Sequence, residues 1–544
     1  MKRLKGRIVS FIMALAVVLS VAQFIDKPVQ AATDYGTVWK NCSEKVNWTI
    51  KDGLVPWDKT AKEPTTKDDD DYYKVYTAEE LTWVMTNNKN FRLYKDIDLG
   101  GRDDAALNKN WTPVTVNKPM KIDGNNYTIF NLSVNTAANN SGFIGNLNST
   151  LTMENLNFYS MKIKASSNTG IIGFIKSGQN ATIRNCSLEN SWIRADSIIG
   201  GFVGYAYDSG NLVDISNSHT KNFYIYGNSC VGNFVGPITG KVTNCYAIDG
   251  KVLSAGGHSG GMTSCSGNHA FSNCFTNVDV YGNTETGAFI GYINIVGETT
   301  YTNCYSSGSI EGTNTIGGFV ATVRPNISPR FTNCYSTAMV GMLDKASNLG
   351  GFAGNVGDNA IFNNCFAAGE VGSLDTNTSS FTNIGGFSGS ATGTYGTPSY
   401  YDKQTTAMRN IGGGKNNPVG RTTAELTGKI DENTNEIVVQ GFDTSESGAW
   451  IAQKGLYPQL KVFANPEKEI DKEGNPCGFT GKDAEVAKAY SAASASTAFL
   501  RDETTEIPNL DEDATPEEIA KETERIRNNY DTVRDIKDLF SFTS

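Results

Sequence analysis

Histidine is almost absent from this chain, which contains three histidines among 544 residues. They are His219, His258 and His269, and none belongs to a His-Glu-x-x-His helix. No Gly-x-Ser-x-Gly elbow, P-loop or dinucleotide-binding motif occurs in the surroundings that such motifs require. His258 stands beside Ser259, but adjacent strand residues point to opposite faces, which favours a surface histidine over a base–nucleophile pair. The sequence therefore predicts a protein that is not an enzyme, with no cofactor and no metal.

Charge is also scarce, because only 19% of the residues are charged and the net charge is −10. Nucleic-acid binding needs a basic face that neutralises phosphates, so no nucleic-acid partner is predicted. The hydrophobic share of 39% and the aromatic share of 10% are too high for a disordered chain. Together with 56 glycines, they favour an all-β protein with short strands and tight turns.

Long apolar runs are missing except at residues 8–24, which follow a cluster of lysines and arginines. Small residues at Val29 and Ala31 then mark a cleavage site, so residues 1–31 are predicted to be an export signal cut after Ala31. A retained membrane anchor is the less favoured alternative. No other stretch approaches the ~18 apolar residues that a span requires, so the mature chain is predicted to be extracellular and without a transmembrane segment.

A repeat occupies the middle of the chain. Nine segments read apolar–any–Asn–small or apolar, and their asparagines lie 24 to 32 residues apart. A second motif places a large apolar residue among glycines, as in Gly200-Gly-Phe-Val-Gly204 and Gly173-Phe174, which predicts a core residue on a short strand between tight bends. We therefore predict a single-stranded right-handed parallel β-helix of about nine turns, with three short strands per turn. The repeated asparagines are Asn131, Asn155, Asn185, Asn217, Asn244, Asn273, Asn303, Asn333 and Asn364.

The alternation of apolar and polar residues breaks at each of these asparagines, which places them at a corner of the coil. Asparagine tolerates the left-handed conformation, and stacked turns lie ~4.8 Å apart, so the amides are expected to form a hydrogen-bonded ladder. Six of ten cysteines follow the asparagine directly, and we expect them to form a buried structural column rather than a metal or redox site. These six are Cys186, Cys245, Cys274, Cys304, Cys334 and Cys365. The pairing of Cys42, Cys230, Cys265 and Cys477 stays open.

Aromatic residues follow the cysteines at outward positions of five turns. One interpretation is an exposed strip that stacks against sugar rings or a partner protein, and the other is a strip that neighbouring loops cover. The strip comprises Tyr246, Phe275, Tyr305, Tyr335 and Phe366. Several acids occur near one phase of the repeat but singly and irregularly, which favours a solvated face over a catalytic cluster. They are Asp214, Asp249, Asp279, Glu311 and Glu370.

The flanking segments predict caps for the two ends of the coil. Residues 32–74 form an N-terminal segment, in which the acidic run Asp68 to Asp71 is either a solvated loop or a calcium site. Thr77 followed by Glu80 indicates a capping helix, and the coil with this cap is expected to span 75–394. A C-terminal cap is expected over 395–463, and a helical, acidic linker over 464–529.

The glycine-flanked phenylalanines coupled to Asn-Cys-Tyr corners resemble the GLUG-motif repeats of bacterial surface proteins. The resemblance covers residues 75–462 and includes cap sequences at 77–81, 96–99 and 457–460. Residues 530–544 are similar to the start of a bacterial immunoglobulin-like module, and suggest a truncated one. The resemblance implies a secreted or surface-attached protein of a Gram-positive bacterium. Such repeats also occur in non-catalytic parts of immunoglobulin-A-cleaving metallopeptidases, so no catalytic residue carries over.

Three functions remain open from the sequence. The first is a non-enzymatic adhesin or stalk that presents a β-helix face to a glycan or a host matrix protein. The second is a carbohydrate-active lyase or hydrolase, which requires three or more charged groups on one face. The third is a structural spacer for further modules.

Overall fold

The structure is a computed structural model in which the chain winds into a parallel β-solenoid of about 10 turns. The all-β fold class is thereby confirmed. The predicted export signal at 1–31, most of the linker at 464–529 and the segment at 530–544 lie outside the described residues. The structure describes residues 35–208, 210–265, 267–294, 297, 299–342, 347–372, 383–392, 394–395, 398–403, 406, 418–421, 423–426, 442–451 and 457–464.

The strands of successive turns form four stacks, where three strands per turn were predicted, and in some turns the second stack contains two strands, as at Asn157–Tyr159 and Lys162–Lys164. One turn runs through Asn180–Arg184, Ser187–Arg194, Ser197–Ile199 and Val203–Tyr205, and each strand pairs in parallel with its equivalents in neighbouring turns. The extra division falls at the Gly-Gly-Phe motif, where the chain bends too sharply to remain one strand. The four stacks of strands are here called walls 1 to 4.

Walls 1 and 2 are the longest sheets, with 12 and 16 strands. Wall 1 comprises Tyr73–Val75, Phe91–Leu93, Met120–Asp123, Leu151–Glu154, Asn180–Arg184, Leu212–Ser216, Gly240–Thr243, His269–Ser272, Thr300–Thr302, Arg330–Thr332, Ile361–Asn363 and Thr394–Tyr395. Wall 2 comprises Ile97–Asp98, Thr128–Phe130, Ser133–Asn135, Asn157–Tyr159, Lys162–Lys164, Ser187–Arg194, His219–Gly227, Tyr246–Ser254, Phe275–Tyr281, Tyr305–Ser307, Ser309–Gly312, Tyr335–Ser336, Met339–Met342, Phe366–Ala367, Tyr400–Asp402 and Val419–Arg421.

Walls 3 and 4 are shorter, and isolated bridges through Val235 join the two parts of wall 4. Wall 3 comprises Ser167–Thr169, Ser197–Ile199, Val231–Gly232, Ser259–Gly260, Glu285–Gly287, Thr315–Gly317, Asn348–Gly350 and Ile384–Gly385. Wall 4 comprises Val114–Val116, Ile144–Leu147, Ile172–Ile175, Val203–Tyr205, Thr263–Cys265, Ile290–Ile293, Val320–Val323, Ala353–Val356 and Ser388–Ala391. A separate antiparallel pair joins Trp450–Ile451 to Gln459–Leu460.

The interior is filled by columns of equivalent apolar residues. In wall 1, Ile183, Ile215 and Val242 occupy one position on successive turns and are all fully buried. The phenylalanines of the glycine motif form another column, in which Phe319 and Phe352 stack at 4.9 Å between ring centroids. Since each turn contacts mainly its neighbours, the core is continuous along the axis.

Among the described residues, four short helices flank the coil: Tyr35–Ser43, Ala78–Thr86, Thr423–Leu426 and Lys461–Ala464. Ala78–Thr86 is the predicted capping helix. The Thr77 side chain accepts a hydrogen bond from the Glu80 amide at its first turn, and Glu80 accepts one from the Tyr76 amide. Within the described residues, no helix is both long and apolar enough to cross a membrane.

Candidate binding face

The corner asparagines all have a left-handed backbone, with φ between 49° and 59°. Asn303 Nδ2 donates to Asn273 Oδ1 at 3.2 Å, and Asn333 Nδ2 donates to Asn303 Oδ1 at the same distance. At the N-terminal end of the ladder, the acceptors are carboxylates: Asp98 accepts from Asn131, and Asp123 accepts from Asn155. The same amide-to-amide bond links the pairs 155–185, 217–244, 244–273 and 333–364. These amides hydrogen-bond to one another between turns, so their role is to stabilise the stacking of the coil.

The six repeated cysteines form a buried column in the same corner. Each thiol lies close to the backbone carbonyl two residues earlier, from 3.2 Å at Cys186 to 3.5 Å at Cys365. Burial raises the pKa of Cys186 to about 12, so its thiol stays protonated. This column lies inside the coil and presents no surface to a ligand.

The aromatic strip of wall 2 points outward, but it is buried, so the prediction of an exposed strip is wrong. Tyr246, Phe275, Tyr305, Tyr335 and Phe366 stack along the axis, as in the pair Tyr305–Tyr335 at 4.8 Å. The C-terminal cap covers them with Phe442, Trp450, Tyr457, Leu460 and Phe463.

Two hydrogen bonds fix this cap on the strip. The Tyr335 hydroxyl donates to the Pro458 carbonyl at 2.7 Å, and Trp450 Nε1 donates to Asn303 Oδ1 at 3.1 Å. The rings of the strip thus pack against the rings of the cap, which lie far along the chain, and this contact removes the strip from water. A sugar cannot reach the strip while the cap is in place.

The N-terminal helix covers a second aromatic surface on wall 2. Trp39 packs between Trp192 and Tyr226, with 5.6 Å between ring centroids in each pair. Cys42 and Val46 extend this contact onto Tyr224 and Leu253. The sequence reasoning missed this helix, because a single tryptophan among polar residues gives no repeat and little periodicity.

The predicted acids divide among different surroundings. Asp279 and Glu311 interact electrostatically: burial raises the pKa of Glu311 most, and the charge of Asp279 raises it further. Lys251 Nζ lies 2.5 Å from Asp279 and neutralises it. Of the other predicted acids, Asp214 lies on wall 1, Asp249 lies on wall 2, and Glu370 is buried after the wall 2 strand Phe366–Ala367.

In the acidic run near the N-terminus, the carboxylates bind cationic side chains. Arg92 contacts Asp68 at 2.6 Å and Asp70 at 3.2 Å, and Lys67 contacts Asp71 at 2.6 Å. Across the part of the chain that the structure describes, no group of three or more His, Cys, Asp or Glu could hold a metal ion.

Walls 3 and 4 approach each other closely along their outer sides, and we call this line the outer seam. A Cβ added at Gly204 would lie 2.6 Å from the Thr169 amide, and one at Gly291 would lie 2.7 Å from the Ser259 amide. Such close contacts explain why glycine occupies this position in most of the motifs, although Ser264 and Ala321 occupy it in two turns. Side chains beside these glycines are therefore brought together from the two walls.

Three aromatic residues lie at the N-terminal half of the outer seam. Phe174 and Tyr205 occupy the same position on adjacent turns and stack at 5.7 Å with an interplanar angle of 9°. Tyr207 contacts Tyr205 edge to face and is 36% exposed. Asp208 accepts a hydrogen bond from the Tyr205 hydroxyl at 3.1 Å. These rings are only partly buried, unlike the strip on wall 2.

The position of Phe174 corrects the prediction that it is a core residue of the glycine motif. In that turn, buried Ile171 takes the core place: the Ile144 amide donates to the Ile171 carbonyl, as the Ile172 amide donates to the carbonyl of the core residue Phe202. The motif is therefore Gly170-Ile-Ile-Gly173, which matches Gly142-Phe-Ile-Gly145. This parallel is the signal from which the outward position of Phe174 could be found.

Amide side chains continue the outer seam beside these rings. Asn168 Nδ2 donates to Asn140 Oδ1 at 2.7 Å, and Asn140 Nδ2 donates to Asn146 Oδ1 at 2.8 Å. The second bond crosses from the wall 3 side to the wall 4 side of one turn. This part of the seam thus combines partly exposed rings with polar groups.

Further along the seam, a histidine, a glutamate and two cysteines meet. His258 Nδ1 lies 2.8 Å from Glu285 Oε2, and its ring stacks on Tyr292 at 4.3 Å. Cys230 Sγ and Cys265 Sγ are 2.9 Å apart. The sequence could not bring these together, because the two cysteines lie outside the repeated column.

The fold and this face together define a capped parallel β-solenoid with a partly exposed aromatic seam. No protein-family model matches the chain, and no curated protein matches it. Among solved structures, it is similar to one described as a "putative immunoglobulin A1 protease from Bacteroides ovatus". The sequence identity is 17%, the TM-score is 0.29, and the match covers 66% of this chain and 87% of that chain. At these values the similarity carries no argument about function.

Proposed function

We propose that this chain is a non-catalytic binding module of an exported bacterial surface protein, and that it binds a glycan on the outer seam. The observation that supports this most is the partly exposed stack of Phe174 and Tyr205 with Tyr207 at its side. The two aromatic surfaces on wall 2 are covered by flanking segments, whereas the rings of the outer seam are partly exposed.

The chemistry of the seam suits a sugar. Sugar rings present apolar C–H groups together with hydroxyls at their edges, so aromatic rings beside hydrogen-bonding groups match both. Asp208 supplies a carboxylate beside Tyr205, and the chain Asn140–Asn146–Asn168 supplies amides. Burial, then Asp208, raises the pKa of Tyr205 to about 12, so its hydroxyl remains a donor at neutral pH.

A glycan array probed with the full chain tests this proposal. We expect Tyr207→Ala to weaken binding about tenfold or more, because loss of one well-placed ring contact costs about 1–2 kcal/mol. Tyr76→Ala is the matched control, since Tyr76 is 39% exposed and lies in the N-terminal cap, away from the seam. Equal binding by the Tyr207 variant and the wild type would contradict the assignment, and absence of any glycan ligand would favour a spacer.

A carbohydrate-active enzyme is the second candidate, and one observation favours it. Glu311 has a raised pKa beside the Lys251–Asp279 pair, which resembles the separation of roles between two carboxyls in glycoside hydrolysis. Tyr35, in the N-terminal helix, contributes to this cluster and interacts electrostatically with Glu311. Release of reducing ends or unsaturated sugars by the wild type, and its loss in Glu311→Gln, would support the enzyme over the binding module.

A further inference from the structure

Two cysteines outside the buried column meet on the outer seam. Cys230 precedes a wall 3 strand, and Cys265 ends a wall 4 strand of the next turn. Their sulfur atoms are 2.9 Å apart although 35 residues separate them in the chain. Two sulfurs in simple van der Waals contact stand farther apart than this, so the backbone already holds the pair near bonding geometry.

The two thiols differ in access. Cys230 is partly exposed and has a left-handed backbone with φ of 48°, which places it at a bend on the surface. Cys265 is 6% exposed and lies beneath it. A reagent from solvent therefore meets Cys230 first, whereas Cys265 can reach only its neighbour.

The surroundings favour the thiolate of Cys230. The hydrogen bond from Cys265 is the main cause that lowers the pKa of Cys230 to about 7, and the nearby His258 contributes. Burial of the His258 ring opposes its protonation, but the hydrogen bond to Glu285 outweighs this effect and raises the pKa of His258. The pKa of Cys265 is raised by the same bond to Cys230 and by burial.

We propose that Cys230 and Cys265 form a thiol–disulfide exchange site, which takes a small-molecule disulfide as its oxidant and closes into a disulfide between adjacent turns. Cys230 is the attacking thiol and Cys265 the resolving one. The proposal stands on the geometry of the pair and is independent of glycan binding.

The reaction balances in two steps. The Cys230 thiolate attacks one sulfur of the disulfide RSSR, its S–S bond breaks, and one RS⁻ leaves and takes a proton from solvent. Cys265, deprotonated, then attacks the Cys230 sulfur of the mixed disulfide and displaces the second RS⁻, which takes the proton that Cys265 has lost. The two protein thiols lose two electrons, and RSSR is reduced to two RSH.

The test uses the reduced full chain with hydroxyethyl disulfide, in a Cys477→Ser background so that this residue outside the described ranges cannot react. We expect the wild type to lose two thiols and to carry no adduct, with peptide mapping that joins Cys230 to Cys265. In Cys265→Ser we expect one stable mixed disulfide on Cys230. In Cys230→Ser we expect no reaction of the remaining thiol, Cys265.

Cys42→Ser is the matched control, since Cys42 is another buried cysteine outside the column, and its loss should leave the reaction unchanged. The wild-type rate should rise with pH to half its maximum near the Cys230 pKa of about 7. A stable adduct on wild-type Cys230 would overturn the resolving role of Cys265. Unreactive thiols in the folded wild type would overturn the site itself.

Discussion

The asparagine ladder can be tested at Asn303, where it meets the C-terminal cap. Asn303 donates to Asn273 and accepts from both Asn333 and Trp450, at 3.1 to 3.2 Å. Its φ is 53°, a conformation that costs alanine about 1–2 kcal/mol. Each lost hydrogen bond contributes about 0.5–1.5 kcal/mol net. We therefore expect Asn303→Ala to reduce the free energy of unfolding by about 3–6 kcal/mol.

Asn303→Gly separates the two contributions, because glycine accepts the left-handed backbone but makes none of the three bonds. We expect it to recover about 1 kcal/mol of the loss caused by alanine. Asn185→Ala is a second comparison: its φ of 49° is similar, but its bond to Asn155 is exposed, so water can replace the partner. The alanine loss should be smaller there.

Urea unfolding of the full chain, followed by circular dichroism, measures these differences. The reasoning is refuted if Asn303→Gly matches the wild type within a few tenths of a kcal/mol, because the amide ladder would then contribute nothing beyond the backbone bend. An Asn185→Ala loss equal to that of Asn303→Ala would show that the cap contact adds nothing.

Three further predictions concern the seam and the caps. Gly354→Ala places a Cβ 2.7–2.8 Å from backbone oxygens of the neighbouring turn and should cost about 1–3 kcal/mol in urea unfolding, whereas Gly341→Ala, whose nearest neighbour is 3.6 Å away, should cost clearly less. The bond between His258 and Glu285 lowers the pKa of Glu285 below its ordinary 4.5, so this stabilisation is lost as pH falls through that lowered pKa. It also raises the pKa of His258 above its ordinary 6.5, so that stabilisation is lost as pH rises through the raised pKa. The stability deficit of His258→Gln should then be largest between pH 4.5 and 6.5, and a deficit independent of pH would contradict the pairing. Trp450→Ala removes a fully buried ring and should destabilise the cap by about 3–5 kcal/mol and increase binding of a hydrophobic dye; unchanged dye binding would show that the strip stays covered.

The solenoid could be predicted because its contacts are local along one axis. A turn packs on the turns before and after it, so the interval of 24 to 32 residues between asparagines corresponds to the length of one turn. The left-handed corner at Asn303 follows from the same repeat, since few other residues tolerate it. The coil and its ladder therefore follow from local conformational preference and from stacking.

The number of walls and the place of Phe174 could not be predicted in the same way. A glycine precedes phenylalanine both at Phe202, inside the motif, and at Phe174, which lies three residues after Ile171, the core residue of its own turn. The dipeptide alone therefore does not decide whether a ring lies in the core or on the seam. The match of Gly170-Ile-Ile-Gly173 to the other motifs indicates the outward position, and the pairing of Phe174 with Tyr205 shows it.

Exposure is the property that the repeat cannot predict, and it decides where a ligand can bind. The period shows that Tyr305 and Tyr335 point outward, but cap residues within 442–451 and 457–463, more than 100 residues along the chain, cover them. A helix from the opposite end covers Trp192 and Tyr226. Both flanking segments pack on wall 2, against aromatic residues that point outward in columns. The outer seam combines aromatic rings with polar amides and has no such covering among the described residues. We therefore expect a ligand of this solenoid to bind on the outer seam rather than on wall 2.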